Sequence, residues 1–243
     1  LIIKPNQSLN GLGKKIQFLA DPDHTLSFRD ITSPKYQSQF EFGSKEIPTY
    51  GLQDITLWVK IDIEHAEKFD IPYILEIAYP TFDSIRYYIL QESLITKQGL
   101  LGDRLKFSER ILRHKNFIIP LDFNRQNNTT IYLKISSKGS IILPINIKSR
   151  EQLYAEDIPE EMLYGIFYGI MLVMLLYNLF LAFSARAINY VYYVGIITGN
   201  LLTISALNGH AFMYLWYDSP WWANHVIVFG IGLWILAGNQ FAS

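Results

Sequence analysis

From position 162 to the end at 243, the chain carries one of its 21 Lys and Arg residues, Arg186, and one of its 22 Asp and Glu residues, Asp218. A charge at the centre of a bilayer costs about 2.5–3.5 kcal/mol on insertion scales, so a stretch that excludes charge over this length is shaped by hydrocarbon. Residues 1–161 hold all the other charges and read as water-soluble. The order is therefore a soluble domain followed by membrane-spanning helices, and the chain faces two compartments.

Three apolar runs are legible, at 162–183, 190–207 and 226–243. They place spans at 162–184, 188–210 and 224–243, the last cut short. The connection SARAIN between the first two is so brief that those helices are expected to be antiparallel neighbours. Arg186 is its one cation, whereas the second connection, NGHAFMYLWYDSPWWANH, has none. The positive-inside rule then puts Arg186 in the cytoplasm and the soluble domain outside. Phe212, Tyr214, Trp216, Tyr217, Trp221 and Trp222 crowd that outer connection, where amphipathic rings form an aromatic belt at the headgroups. Gly165 with Gly169, and Gly195 with Gly199, repeat a spacing that lets helices approach closely in lipid. Asn178, Asn200, Asn208 and Asn239 need hydrogen-bond partners at that depth, which argues for a bundle with a polar interior. Leu at position 1 and an apolar run still open at Ser243 read as a fragment or processed chain, with more helices expected to follow.

The soluble part mixes acidic and basic residues without a basic stripe, so nucleic acid is not an expected partner. About 155 residues bury roughly 70% of their unfolded surface, so no metal or disulfide is required. Cysteine is absent, which leaves the compartment open. In ITLWVKIDI, Ile55, Leu57, Val59, Ile61 and Ile63 share one face, and Thr56, Trp58, Lys60 and Asp62 the other. Similar alternation marks 73–79, 84–90, 130–136 and 140–148, while 116–121 is a more continuously apolar strand. Turn clusters RQNNT and SSKGS separate strands, and no convincing amphipathic helix intervenes. The fold class is mainly β, an antiparallel β-sandwich of jelly-roll type over residues 1–155, followed by an α-helical transmembrane region. Residues 156–161, the end of EQLYAEDIPEE, read as a polar linker.

Chemical motifs are few. NGLGKK lacks the G-x-x-x-x-G-K-[ST] pattern and runs into a strand, so it is not a phosphate loop. The five histidines, at 24, 65, 114, 210 and 225, show no metal-ligand spacing, so no metal and no cofactor is expected. The densest stretch is GDRLKFSERILRHKNF, with Asp103, Arg104, Lys106, Glu109, Arg110, Arg113, His114 and Lys115. It admits three readings: a salt-bridged surface, a glycosidase pair of Asp103 and Glu109, or one side of a sugar groove. In the third, Arg104, Glu109, Arg110 and His114 supply charge-assisted hydrogen bonds, and Trp58, Tyr79 and Tyr87 supply stacking faces. Taken singly, each of those aromatics is more often core.

GDRLKFSERILRHKNFIIPL followed by SKGSIILPINI resembles the second type of extracellular domain of bacterial seven-transmembrane receptors with diverse intracellular signalling modules. YGIMLVMLLYNLFLAFSARAINYVYY and LNGHAFMYLWYDSPWWANH resemble the first three helices of that family's receptor region. The resemblance implies a jelly-roll-like sensor outside the inner membrane, with soluble carbohydrates as suspected ligands. It also implies seven spanning helices and a cytoplasmic kinase, cyclase or phosphatase output that lies beyond these residues. No family catalytic residue falls here, so this part is not expected to be an enzyme. The expected function is a multi-pass inner-membrane receptor whose periplasmic domain senses a ligand and relays it through the helices, as in a two-component system. A protein-interaction module that pairs with another receptor or envelope protein is the second reading, and a glycoside hydrolase the third. Homo- or hetero-oligomers could form through the helices or the sensor domain.

Overall fold

Alternation of apolar side chains builds most of the first unit. The structure, a computed structural model, describes residues 1–4, 7–64, 71–123 and 128–242. His65, positions 125–127 of the expected turn cluster, and Ser243 lie outside them. The chain divides into two units, Leu1–Gln152 and Leu153–Ser243.

In the first unit the strands are β1 (Gln17–Asp21), β2 (Glu41–Phe42), β3 (Thr49–Leu52), β4 (Thr56–Ile63), β5 (Tyr73–Ile77) and β6 (Ser84–Gln91). They continue with β7 (Leu94–Leu101), β8 (Phe117–Leu121), β9 (Thr129–Ser136), β10 (Ser140–Ile142) and β11 (Ile145–Ser149). One sheet has the order β2-β1-β4-β9-β6-β7, a second β11-β5-β8, and β10 pairs with β3, all antiparallel. Apart from the pairs β1–β2 and β6–β7, successive strands lie in different sheets, as in a jelly roll. Leu57, Val59, Ile61 and Ile63 of β4 meet Leu75, Ile77, Phe117, Ile119, Ile145 and Ile147 in one core. The expected strands are present, with two differences. The run 140–148 is broken at Leu143-Pro144, because proline cannot donate to the ladder. The alternation of 94–101 is weak because β7 is an edge strand whose side chains are mostly exposed.

Two short helices, α1 (Phe28–Ile31) and α2 (Pro34–Gln37), follow β1. Ser27 caps α1, exchanging hydrogen bonds with Asp30 in a capping box. A 3-10 turn at Leu12–Lys15 occupies the NGLGKK segment and leads into β1.

The second unit is helical. Its elements are α3 (Arg150–Ala185, which begins in the first unit's last residues), α4 (Ile188–Leu207), α5 (His210–Tyr214) and α6 (Pro220–Ala242). Among the described residues α3, α4 and α6 are long and apolar enough to cross a membrane. The expected linker at 156–161 is helix, continuous with the first span, and Pro159 lies inside it. The second span ends at Leu207 rather than 210, because Gly209 in the left-handed region (φ 76°) turns the chain and starts α5. A Cβ at Gly199 would lie 2.6 Å from the Gly230 carbonyl oxygen and 2.8 Å from the Trp234 nitrogen, so α4 and α6 touch backbone to backbone there. Gly199→Val is therefore expected to loosen this pair by about 1–3 kcal/mol, read as faster hydrogen exchange in both helices. Gly165 and Gly169, expected to do the same, have nothing within 4 Å of a built Cβ. Asn178 and Asn200 find their partners within their own helices, at the Met174 and Ile196 carbonyls.

Candidate functional site

Three strands of the six-stranded sheet set out the residues of its outer face in rows. Strand register sets Lys134 between Trp58 and Arg86, Tyr132 between Lys60 and Tyr88, and Thr130 between Asp62 and Leu90. The segment after β1 crosses this face as a strap. Buried Asp21 accepts from the Thr25 and Leu26 amides at 3.1 and 3.0 Å, which fixes where the strap leaves the sheet. Lys134 Nζ donates to the Leu26 carbonyl at 2.9 Å and lies 5.2 Å from the centre of the Trp58 ring. Phe28 stacks on Tyr88 at 4.2 Å and meets Tyr132 edge-on at 5.7 Å. Gln37 donates to the Ile31 carbonyl and to the Tyr132 hydroxyl, and its Oε1 accepts from Lys60 at 2.9 Å. Between the strap and the sheet, Leu19, Ile31, Phe40, Trp58 and Tyr132 pack as a second apolar cluster.

Beyond the strap a groove of about 570 Å³ opens, lined by Lys60, Asp62, Leu90, Glu92, Ser93, Asn128, Thr130 and Tyr132. Lys60 stands 3.4 Å from Asp62, and Thr130 donates to the same carboxylate at 2.8 Å. Burial, reinforced by the Asp62 charge and opposed by the Gln37 hydrogen bond, pushes the Tyr132 hydroxyl above its ordinary range, so it remains protonated. Glu92 and Ser93 form the two-residue turn between β6 and β7 with φ of 50° and 66°. That conformation favours glycine and asparagine, and each non-glycine residue held in it costs about 1–2 kcal/mol. A smaller hollow of about 300 Å³ lies against Arg86, Tyr88, Gln98, Gly99 and Leu100.

The seven residues expected to form a single groove do not do so. Trp58 and Tyr87 lie on opposite faces of the sheet, 0% and 4% exposed, Trp58 beneath the strap and Tyr87 in the main core. Neither offers a ring face to solvent, and this corrects the stacking role expected of them. Tyr79 is half-buried against the main core and tilts onto Phe82 at 4.9 Å. Arg104 is paired with Asp83 at 2.9 Å. Arg110 turns inward: its Nη1 donates to the His114 and Lys115 carbonyls at 2.9 and 2.7 Å and reaches Asn116 O at 3.5 Å. Its guanidinium lies between the Phe107 and Phe117 rings, at 4.5 and 4.4 Å. His114 Nδ1 accepts from the Asn116 amide at 3.0 Å. Glu109 is exposed on a 3-10 turn, Phe107–Glu109, while Asp103 is buried near Arg110. The motif at 102–117 is thus organised around its own backbone. The groove residues were missed because on paper Lys60, Asp62, Thr130 and Tyr132 are the ordinary alternates of strands and Glu92 is a turn residue.

No curated protein matches the chain. The model of the family 7TMR-DISM extracellular 2 matches residues 13–149, and that of 7TM diverse intracellular signalling matches 160–243. A β-sandwich followed by apolar spanning helices is the architecture of a membrane receptor with an extracellular sensor region. The chain belongs to the 7TMR-DISM family, a receptor class and not an enzyme class. Among solved structures it is similar to the insecticidal delta-endotoxin Cry8Ea1 from Bacillus thuringiensis, at 16% identity and a TM-score of 0.23, over 37% of this chain and 17% of the toxin. It is also similar to a family 35 carbohydrate binding module from Clostridium thermocellum, at 9% identity and a TM-score of 0.26, over 58% of this chain and 97% of the module.

Proposed function

We propose that the β-sandwich senses a soluble carbohydrate from outside the bacterial inner membrane, binding it in the groove on the outer face of the six-stranded sheet. The observation that carries this reading is the groove's chemistry. Lys60 donates, Asp62 and Glu92 accept, Ser93, Thr130 and Tyr132 can do either, and Leu90 and the Tyr132 ring supply apolar wall. A lining of mixed sign suits a neutral ligand whose hydroxyls both donate and accept, rather than a polyanion. The ligand then biases two arrangements of the helices, by no more than its differential affinity for them, and a cytoplasmic output outside these residues reads the change. Arg186 marks the cytoplasmic side in this orientation.

Calorimetric titration of the chain in lipid nanodiscs with maltotriose, cellotriose and chitotriose tests the reading. At least one is expected to bind, with Asp62→Asn and Glu92→Gln each weakening it about 10-fold or more, since hydrogen bonds to charged groups contribute about 1.5–3 kcal/mol. Absence of heat with every sugar, or binding indifferent to both substitutions, would sink it. A partner-protein reading has one observation in its favour: edge strand β7 leaves Leu94, Ile95 and Leu100 exposed. Self-association or capture by an envelope protein that ends when Ile95 becomes Lys would support that reading instead.

A further inference from the structure

On the outer face of the six-stranded sheet, Arg86 of β6 stands directly opposite Lys134 of β9. Like charges directly opposite one another in a sheet are destabilising unless an anion offsets them. The sheet supplies none. Among the described residues neither cation has a carboxylate within 4.0 Å. The acidic groups of this face are engaged elsewhere: Asp62 by Lys60 and Thr130, and buried Asp21 by the Thr25 and Leu26 amides. Asp83, just before β6, is paired with Arg104.

The two cations differ in what they have left to offer. Lys134 donates to the Leu26 carbonyl and lies against the Trp58 ring, so it is anchored to the strap. Arg86 is exposed, and among the described residues its side chain has no hydrogen-bond partner. The same holds for the side-chain amide of Gln98 and the hydroxyl of Tyr88, which line the hollow of about 300 Å³ together with Arg86, Gly99 and Leu100. A guanidinium is charged at any pH a protein meets, and its planar fork of N–H groups matches the two oxygens of a carboxylate or a sulfate. Gln98 and Tyr88 add neutral donors, while Leu100 and the Tyr88 ring give the hollow an apolar side. No carboxylate lines it, whereas Asp62 and Glu92 line the sugar groove, and the two share no residue.

We propose that the hollow at Arg86 is an oxyanion subsite, taking one carboxylate or sulfate group of a soluble ligand in the Arg86 fork, with Gln98 as a further donor and Lys134 adding its charge from the neighbouring strand. The subsite stands apart from the sugar reading: an oxyanion without a sugar fits the same donors, and a neutral sugar does not call on them.

The test uses the whole chain in nanodiscs of phosphatidylcholine, which has no net charge, at constant ionic strength. Hydrogen exchange in peptides of β6, β7 and β9 is followed while sodium sulfate or sodium galacturonate replaces sodium chloride, with neutral galactose as the control. Both anions are expected to slow exchange saturably, and galactose to leave it unchanged. Arg86→Gln is expected to raise the half-saturating concentration of each anion at least tenfold, and Gln98→Leu to raise it severalfold. General stabilisation by sulfate does not saturate and would persist in Arg86→Gln, which separates it from binding. In chloride alone Arg86→Gln is expected to exchange no faster than the parent, because it relieves a like-charge pair and breaks no contact. Faster exchange of Arg86→Gln in chloride would make the arginine structural and overturn the proposal. Absence of saturable protection by both anions, or protection equal in the parent and Arg86→Gln, would overturn it as well.

Discussion

Replacing Lys148 by Met while Glu76 stays in place is expected to destabilise the β5–β11 pair by about 3–5 kcal/mol, the usual cost of leaving one partner of a buried ion pair uncompensated. The two side chains are 5% and 4% exposed and stand 2.9 Å apart on the outward side of the three-stranded sheet. Asn116 and Asn146 donate to the two oxygens of the same carboxylate at 2.7 and 3.0 Å, and the Gly11 amide donates to Asn146. Burial alone would raise the Glu76 pKa, but the hydrogen bonds from Asn146, Lys148 and Asn116 and the Lys148 charge outweigh it and hold the group below its ordinary value. A depressed carboxylate pKa contributes stability that is present above the unfolded value and lost as pH falls through the folded one. Protection of β5 and β11 should therefore hold near neutral pH and erode below about pH 4.5. Glu76→Gln should flatten that erosion, and a joint Glu76→Met, Lys148→Met change should recover most of the loss from Lys148→Met alone. Hydrogen-exchange mass spectrometry of the strand peptides reads all three. An acid profile identical in the parent and Glu76→Gln would contradict the assignment.

The alternation of Ile55 to Ile63 was enough to name one strand and its inward face, and the charge-poor stretch after position 161 was enough to name three spans. Both signals are periodic or compositional and survive in any context. What escaped depends on residues distant in sequence. Trp58 falls on the polar alternates of β4 and looked available to a ligand, yet it is covered by Ile31 and Phe40 of a strap that no local pattern connects to it. The groove beside it is assembled from β4, the β6–β7 turn and β9, so no contiguous motif announces it. Glu92 and Ser93 hold a turn that sequence preference assigns to Asn-Gly, which hid the hairpin. Dense charge at 102–117 suggested a surface because burying a cation is costly, and the acceptors that offset this cost for Arg110 are backbone carbonyls that composition does not record.

Arg110→Ala is expected to cost about 3–4 kcal/mol of local stability, because it removes a desolvated cation held by two aromatic rings and leaves carbonyls of residues 114–116 without that donor. Burial pushes this guanidinium down to about 10, with the Asp103 charge opposing the shift, so it is still charged at neutral pH. Arg110→Lys should restore little: an ammonium is not planar and cannot lie flat between Phe107 and Phe117. If the motif were instead one wall of a sugar site, the alanine change would weaken sugar binding while leaving exchange at 102–121 unchanged. The contacts argue for the opposite pattern, with exchange in that segment accelerated more than 100-fold, as 3–4 kcal/mol requires at about 1.4 kcal/mol per tenfold. Any sugar affinity that survives in the folded fraction would then belong to the outer-face groove, which shares no lining residue with this loop.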